Sequence, residues 1–318
     1  MKTHTAGNCS RRHFLASATL AAAGISILPR RLFAAQESPV TTLRSAAATA
    51  KIITQKLRGN ISVLQGSGGN IAVLAGNDGK LLVDAGITAS RPGITEALNG
   101  LSSDPVRHLI NTHWHFDHTD GNEWVHSIGA EITAHENTRK HLSETTRVDA
   151  WNFTFPPSPK GALPTNVFAK NRKLLLNGTT VALDYYGPAH TDSDISVYFP
   201  EADILHVGDT WWSGYFPFID YNTGGSINGM IRAAEANLAK AAAKTIVIPG
   251  HGPVGDRADL VEFRDMLVAV RDKVAALKQQ GKALEEVTAA KPTAEFDAKW
   301  GGFVIDGKTF TQLVYAGV

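Results

Sequence analysis

The stretch NTHWHFDHTDGN, residues 111–122, packs three histidines and two aspartates into one short segment directly after the apolar run VRHLI. So many titratable groups do not fill a core, because burying them without partners is costly. A chain that carries them has to fold so that the loop meets compensating groups. The i, i+2 spacing of His113 and His115, just past a strand, lets both imidazoles point the same way and clasp one ion. Asp117 and His118 follow as neighbours in a turn, where adjacent side chains diverge and can serve a second ion close by. The fold must then deliver further ligands to the end of this strand.

Three later segments offer them. GPAHTDSD presents His190 after the strand TTVALDYYG, HVGDTWW presents Asp209 after DILHV, and IPGHGP presents His251 after TIVIP. Each candidate follows a strand and sits beside Gly or Pro, as a site built on loops over a rigid sheet requires. The histidines His108, His126, His135, His141 and His206 repeat no ligand spacing and read as strand, helix or packing residues. Asp192 and Asp194, close behind His190, have two readings, as partners that orient an imidazole or water and as turn residues. Asp120 and Asn122 read as turn and cap residues. Two aromatic groups flank the ring: Trp151, Phe153 and Phe155, and then Trp211, Trp212, Tyr215, Phe216 and Phe218. They either wall a substrate pocket or close the edge of the core, and the pocket is the preferred reading.

The rest of the chain is organised as an α/β protein. With 318 residues, 43% of them hydrophobic, it can bury a large core. From residue 51 the runs KIITQKL, ISVLQG, NIAVLAG and KLLVDAG, broken by Gly and Asn-Asp-Gly, predict an antiparallel meander. A helix over 91–101, a strand over 106–112, a strand AEITAH and a helix ENTRKHL follow. Residues 143–168 form a Pro-rich, aromatic loop too long for a mere connector. More strands and helices repeat the pattern to about residue 270, which predicts two sheet-and-helix halves packed face to face. The chain after His251 reads as mostly helical.

The N-terminus reads as a targeting segment. Its first 35 residues hold Lys2, Arg11, Arg12, Arg30 and Arg31 and no acid, leaving 26 basic against 30 acidic residues beyond them, a net of −4. SRRHFLA followed by SATLAAAGISIL is a basic pair before an apolar run too short to span a bilayer, similar to a twin-arginine export signal. Residues 1–35 are thus expected to be a signal peptide, 36–50 a linker, and the mature protein periplasmic or secreted, with the export machinery as a partner and no stable membrane span. The only cysteine, Cys9, lies in this leader, so the metal site must be built from imidazole and carboxylate. The acidic balance of the mature chain counts against a phosphate-binding nuclease surface and gives no footing for a nucleic-acid partner.

Over residues 51–271 the sequence resembles the metallo-β-lactamase superfamily, whose H-x-H-x-D-H motif stands here as His113, His115, Asp117 and His118. The resemblance implies an αββα four-layer sandwich, followed here by a short helical C-terminal extension, 272–318, packed on the domain. It implies that His113, His115 and His190 hold one metal, that Asp117, His118 and His251 hold the second, and that Asp209 bridges them. A bridging aspartate is similar to the glyoxalase II-like branch, and lactamases with a cysteine ligand are not close relatives. Two divalent ions are expected, zinc first, with iron or manganese suited to the same donors. The expected activity is hydrolysis of a small molecule, a metal-held hydroxide attacking the carbonyl of a β-lactam, lactone, ester or thioester, with Asp117 as the catalytic carboxylate. The alternatives are an iron-dependent persulfide dioxygenase-like oxidoreductase and a non-catalytic periplasmic metal-binding protein.

Overall fold

The computed structural model describes residues 38–318, so the leader with Arg11 and Arg12 lies outside the described residues. Helix α1 (Pro39–Ala47) comes first. Strands β1 (Ile53–Lys56), β2 (Ile61–Gln65), β3 (Ile71–Leu74) and β4 (Lys80–Val83) then form the antiparallel meander read from the sequence. Helix α2 (Arg91–Leu101) crosses over to β5 (Val106–Ile110), which pairs parallel with β4. Short helices α3 (Phe116–Thr119) and α4 (Asn122–Ser127) lead to β6 (Glu131–His135) and α5 (Glu136–Ser143). The long loop contains a small hairpin, β7 (Thr146–Val148) and β8 (Phe153–Phe155), before β9 (Asn166–Phe168) joins β6 and completes a seven-stranded mixed sheet.

The second sheet has six strands in sequential order: β10 (Asn171–Leu176), β11 (Thr179–Tyr185), β12 (Ile195–Phe199), β13 (Ile204–His206), β14 (Ile246–Ile248) and β15 (Gly255–Asp256). Its one parallel pair, β13 with β14, is joined through helix α6 (Ile227–Lys240). Ser226 starts that helix by accepting a hydrogen bond from Gly229 N at its N-cap. Helix α7 (Arg257–Gln279) starts on a capping box of Asp256 and Asp259.

Side-chain alternation explains the layering. In β4, Leu81 and Val83 enter the core shared with Val181, Leu183, Val197 and Phe199 of the second sheet. Leu82, pointing the other way, packs with Ile94 and Leu98 of α2. Both faces are covered, which is why these strands read as continuous apolar runs rather than alternating ones. On the far side, Leu205 and Val247 meet α6 and α7. The result is a sandwich of two mixed sheets flanked by helices, as expected.

After α7 come α8 (Leu284–Ala289), α9 (Asp297–Trp300) and α10 (Gly307–Ala316). Val287, Trp300, Ile305, Phe310 and Val314 are buried in one cluster with residues of α6 and α7. Phe310 stacks on Phe216 at 4.8 Å, and Phe216 N donates to Trp300 O at 2.8 Å. The extension therefore packs against the segment that follows Asp209.

Of the expected linker, residues 36–50, the part from Ser38 onward requires a correction. Ser38 caps α1, Pro39 sits in its first turn, and Val40 and Ala47 are buried against the domain. Arg44 pairs with Asp120 at 2.8 Å. The alanine-rich composition that suggested a tether is also the best helix-forming composition once an apolar face finds a partner. Among the described residues no helix is long and apolar enough to cross a membrane.

Candidate metal centre

The loop after β5 is held at both ends. Asn111 and Asn122 exchange amide hydrogen bonds of 3.0 and 2.9 Å, and Thr119 Oγ1 donates to the carbonyls of Trp114 and His115. This turns the histidine run back over the sheet. One ligand atom from each of His113, His115, His190 and Asp209 lies within 4.8 Å of the others, and the same holds for Asp117, His118 and His251. Asp209 stands between the groups: its Oδ2 is 3.4 Å from His190 Nε2 and 3.3 Å from His251 Nε2, and its Oδ1 is 3.1 Å from His118 Nε2. All seven sequence-derived candidates thus converge. Backbone comes close to them: a Cβ at Gly69 would lie 2.1 Å from the His118 ring, and one at Gly250 would lie 1.8 Å from Asp209 Oδ1. Only glycine fits at either place.

Outer partners aim the rings. His118 Nδ1 lies 2.7 Å from Asp84 Oδ2, and Asp84 also accepts from Thr112 N and Thr112 Oγ1, each at 2.8 Å. His113 Nδ1 pairs with Thr112 Oγ1 at 3.0 Å, and His190 Nδ1 with Phe218 O at 2.8 Å. His115 is aimed oppositely, with Nε2 on Asp220 Oδ2 at 3.0 Å and Nδ1 toward His190 Nε2 at 2.8 Å. In each of these four rings one nitrogen is engaged and the other faces the centre, as ligation requires. The sequence reading missed both Asp84 and Asp220.

The residues fit metal ions. Buried His113 Nε2 has no hydrogen-bond partner, and neither does Asp209 Oδ1, whose approach to His118 lacks hydrogen-bond geometry. Orphaned buried polar atoms cost about 1–3 kcal/mol each, a penalty that a bound cation removes. Burial lowers the proton affinity of His113 well below the ordinary imidazole range, and neighbouring His118 adds to it; burial likewise lowers His115 and His190. His251 behaves otherwise: burial disfavours its charge, but Asp209 and Asp117 outweigh it and raise its pKa to about 9. His118 is raised well above its usual value, burial being overcome by Asp209, Asp117 and Asp84. Burial opposes charge on Asp209 too, yet His251, His118 and His113 keep it ionised. The positive charge that the carboxylates favour at His118 and His251 is of the kind that divalent cations supply when bound there.

The other polar candidates have structural work. Asp192 pairs with His141 at 2.8 Å, and Asp194 accepts from Thr191 N at 2.7 Å and from Thr191 Oγ1. Neither contacts a ligand imidazole, so the turn reading describes them. His135 caps α5, while His206 and His126 pair with the carbonyls of Asn70 and Ala130, and His108 lies on β5. Asp120 accepts from Thr88 N, and Asn122 closes the loop.

The aromatics divide between the two readings. Trp151 lies 4.7 Å from the His115 ring and 4.9 Å from Phe218, while Phe153 and Phe155 pack beside Trp151 and Phe116. Trp211 and Phe216 are wholly buried, so for these two the pocket reading is corrected: they close the core. A cleft of about 340 Å³ beside Lys56, Asn60 and Asp104 contains none of the metal-centre residues.

A family model described as the metallo-beta-lactamase superfamily matches residues 64–254. The chain belongs to that superfamily. A 2,4-dinitroanisole O-demethylase subunit alpha from Nocardioides sp. is 30% identical over 112 residues, 35% of this chain and 30% of that protein. A metallo-beta-lactamase type 2 from Pseudomonas aeruginosa is 25% identical over 154 residues, 48% of this chain and 54% of its own. The chain thus spans about half or less of the length of these curated relatives. In structure it is similar to a stereoselective inverting sec-alkylsulfatase from Pseudomonas sp., with a TM-score of 0.67 and 16% identity over 90% of this chain and 54% of that one. A metallo-beta-lactamase from Pontibacter korlensis gives a TM-score of 0.55 and 20% identity over 68% of this chain and 99% of its own. These likenesses are to the fold, and within the superfamily domain the paired His and Asp groups form two adjacent clusters suited to a dinuclear metal centre.

The superfamily's ligand set puts weight on the residue that aims His115. Asp220→Ala is expected to lower affinity for the first ion by about 10–100-fold while the fold stays intact, because the imidazole loses its fixed orientation. Chelator competition on the variant measures this. Affinity equal to that of the parent protein would assign Asp220 to the Thr223 turn alone.

Proposed function

We propose that this protein hydrolyses a small molecule at an activated carbonyl, in a β-lactam, lactone, ester or thioester, with two zinc ions held by His113, His115, His190, Asp117, His118 and His251 around Asp209. The observation that carries the reading is the pair of buried ligand groups joined at Asp209, with Asp117 at their more open edge. The chemistry that bound divalent ions supply is Lewis acidity and acidification of water to a pKa of about 7. The chain's own residues do the rest. Asp117 Oδ2 lies 3.2 Å from His251 Nε2 and is placed to carry a proton to the leaving group. The aromatic cover of Trp151 and Phe218 above His115 excludes water from the first ligand group.

The ligand set also supports a two-ion hydrolase over a mononuclear dioxygenase, since Asp117, His118 and His251 are all present and adjacent. The names of two relatives favour a second reading, attack on an alkyl or aryl C–O or sulfate-ester bond. A panel of zinc-loaded assays separates the two, using a chromogenic cephalosporin, a lactone, a thioester and p-nitrophenyl acetate against p-nitrophenyl sulfate and p-nitroanisole. Turnover of carbonyl substrates supports the proposal. Turnover confined to the sulfate or the ether overturns it. Export by the twin-arginine route is proposed from Arg11 and Arg12, and full export of a variant with both replaced by lysine would refute it.

A further inference from the structure

The metal centre is not equally open on all sides. The side chains of His113, His115, His118, His190 and Asp209 are 0–2% exposed, whereas those of His251 and Asp117 are 10% and 12% exposed. The His251–Asp117 edge is therefore the side of the centre most open to solvent. The side above His115 is roofed by Trp151 and Phe218.

What borders that open edge comes partly from the C-terminal extension. Phe303, in the segment between α9 and α10, has its ring 6.3 Å from the His251 ring, 4.8 Å from Tyr215 and 6.0 Å from Trp212. Trp212 is buried, but Phe303 and Tyr215 are only partly so. The segment is pinned on both sides of Phe303. On one side Trp300 O accepts from Phe216 N at 2.8 Å; on the other Ile305 is buried and Asp306 caps α10 by accepting from Thr309 N at 2.8 Å. The ring is thus held before any substrate arrives, and contact with it costs little ordering entropy.

We infer that Phe303, lent to the metal centre by the C-terminal extension, is a specificity-determining residue that forms with Tyr215 an apolar wall for the non-reacting part of the substrate. The chemical class selected is one with a flat or bulky apolar group next to the bond that is cleaved. An aromatic face suits an aryl group best, since paired rings gain attraction beyond the area they bury. The inference rests on the metal-hydrolase reading, which supplies the anchoring of the reacting group. A ring that served only to cover Trp212 would change stability and leave selectivity alone.

The test uses the full zinc-loaded chain and two anions with the same anchoring group, methylphosphonate and benzylphosphonate, titrated by calorimetry. The parent protein is expected to bind benzylphosphonate at least ~10-fold more tightly than methylphosphonate, about what burial of an aryl group is worth. Phe303→Ala should cut that preference by about 5-fold or more while methylphosphonate affinity stays within about twofold. Phe303→Leu keeps an apolar side chain on Trp212, and so the packing, and should lose a smaller part of the preference, about threefold. An unchanged preference in either folded variant, with methylphosphonate binding intact, overturns the assignment of Phe303 alone, as does equal binding of the two anions by the parent protein. Binding of neither anion by the zinc-loaded parent overturns the metal-hydrolase reading and this inference with it.

Discussion

Asp209→Ala should leave a protein that folds but neither holds its metals nor turns over. Among the described residues, Asp209 is the one whose carboxylate faces both ligand groups, at 3.4 Å from His190 Nε2 and 3.3 Å from His251 Nε2. Alanine removes an anionic donor from each group, a larger loss than that of an outer partner, which alone costs about 10–100-fold in metal affinity. Affinity should therefore fall by more than about 100-fold, and activity with it. Removing the charge also takes away the largest of the carboxylate contributions that raise His118 and His251, leaving Asp84 beside the first and Asp117 beside the second. Metal content by elemental analysis, paired with the rate per folded molecule, checks both parts. Near-normal turnover would remove Asp209 from the centre.

The second large effect concerns rate without loss of structure. Asp117→Asn keeps the shape and one oxygen of the side chain but abolishes its charge and its capacity to carry a proton. The first ligand group, His113, His115, His190 and Asp209, does not include it. First-site metal should stay near the parent level while the rate falls by about 100-fold, the scale of lost general acid-base help. Equal losses of metal from both sites would show that Asp117 matters for binding alone. Undiminished turnover would make it a turn residue.

These two aspartates and the five histidines were legible in the sequence because each lies in a strand-end loop, beside Gly or Pro or inside the dense H-x-H-x-D-H run, and that local pattern survives folding. Asp84 carries the same signal in LLVDAG, at the end of β4, and the pattern that picks out Asp209 also reaches it. Asp220 does not. It touches His115 across 105 residues of chain, and nothing near it in FIDYN marks a site. The layering was readable because runs such as KLLV are apolar on both faces, which only a strand covered by a sheet on one side and helices on the other can afford.

Where the reading failed, tertiary contacts decided. Residues 39–47 are polar and alanine-rich enough to look like a tether, yet Val40 and Ala47 find an apolar surface and Arg44 finds Asp120. Trp211 and Phe216 sit within five residues of Trp212 and Tyr215, with the same composition on either side. Ring contacts separate them: Trp212 lies 4.5 Å from the His251 ring and Tyr215 4.8 Å from Phe303, while Trp211 and Phe216 are wholly buried in the core. Phe303 has no sequence motif at all, and only the return of the extension onto the segment after Asp209 brings it to His251.

A dinuclear centre assembled from imidazole and carboxylate fixes the metal stoichiometry of the purified chain under metal-replete conditions. Seven converging ligands are more than one tetrahedral ion can use. About two transition-metal ions per chain are expected, the first more tightly held by the fully buried group and the second lost first to a chelator. A stoichiometry that stays near one, with all seven side chains intact, would contradict a dinuclear centre.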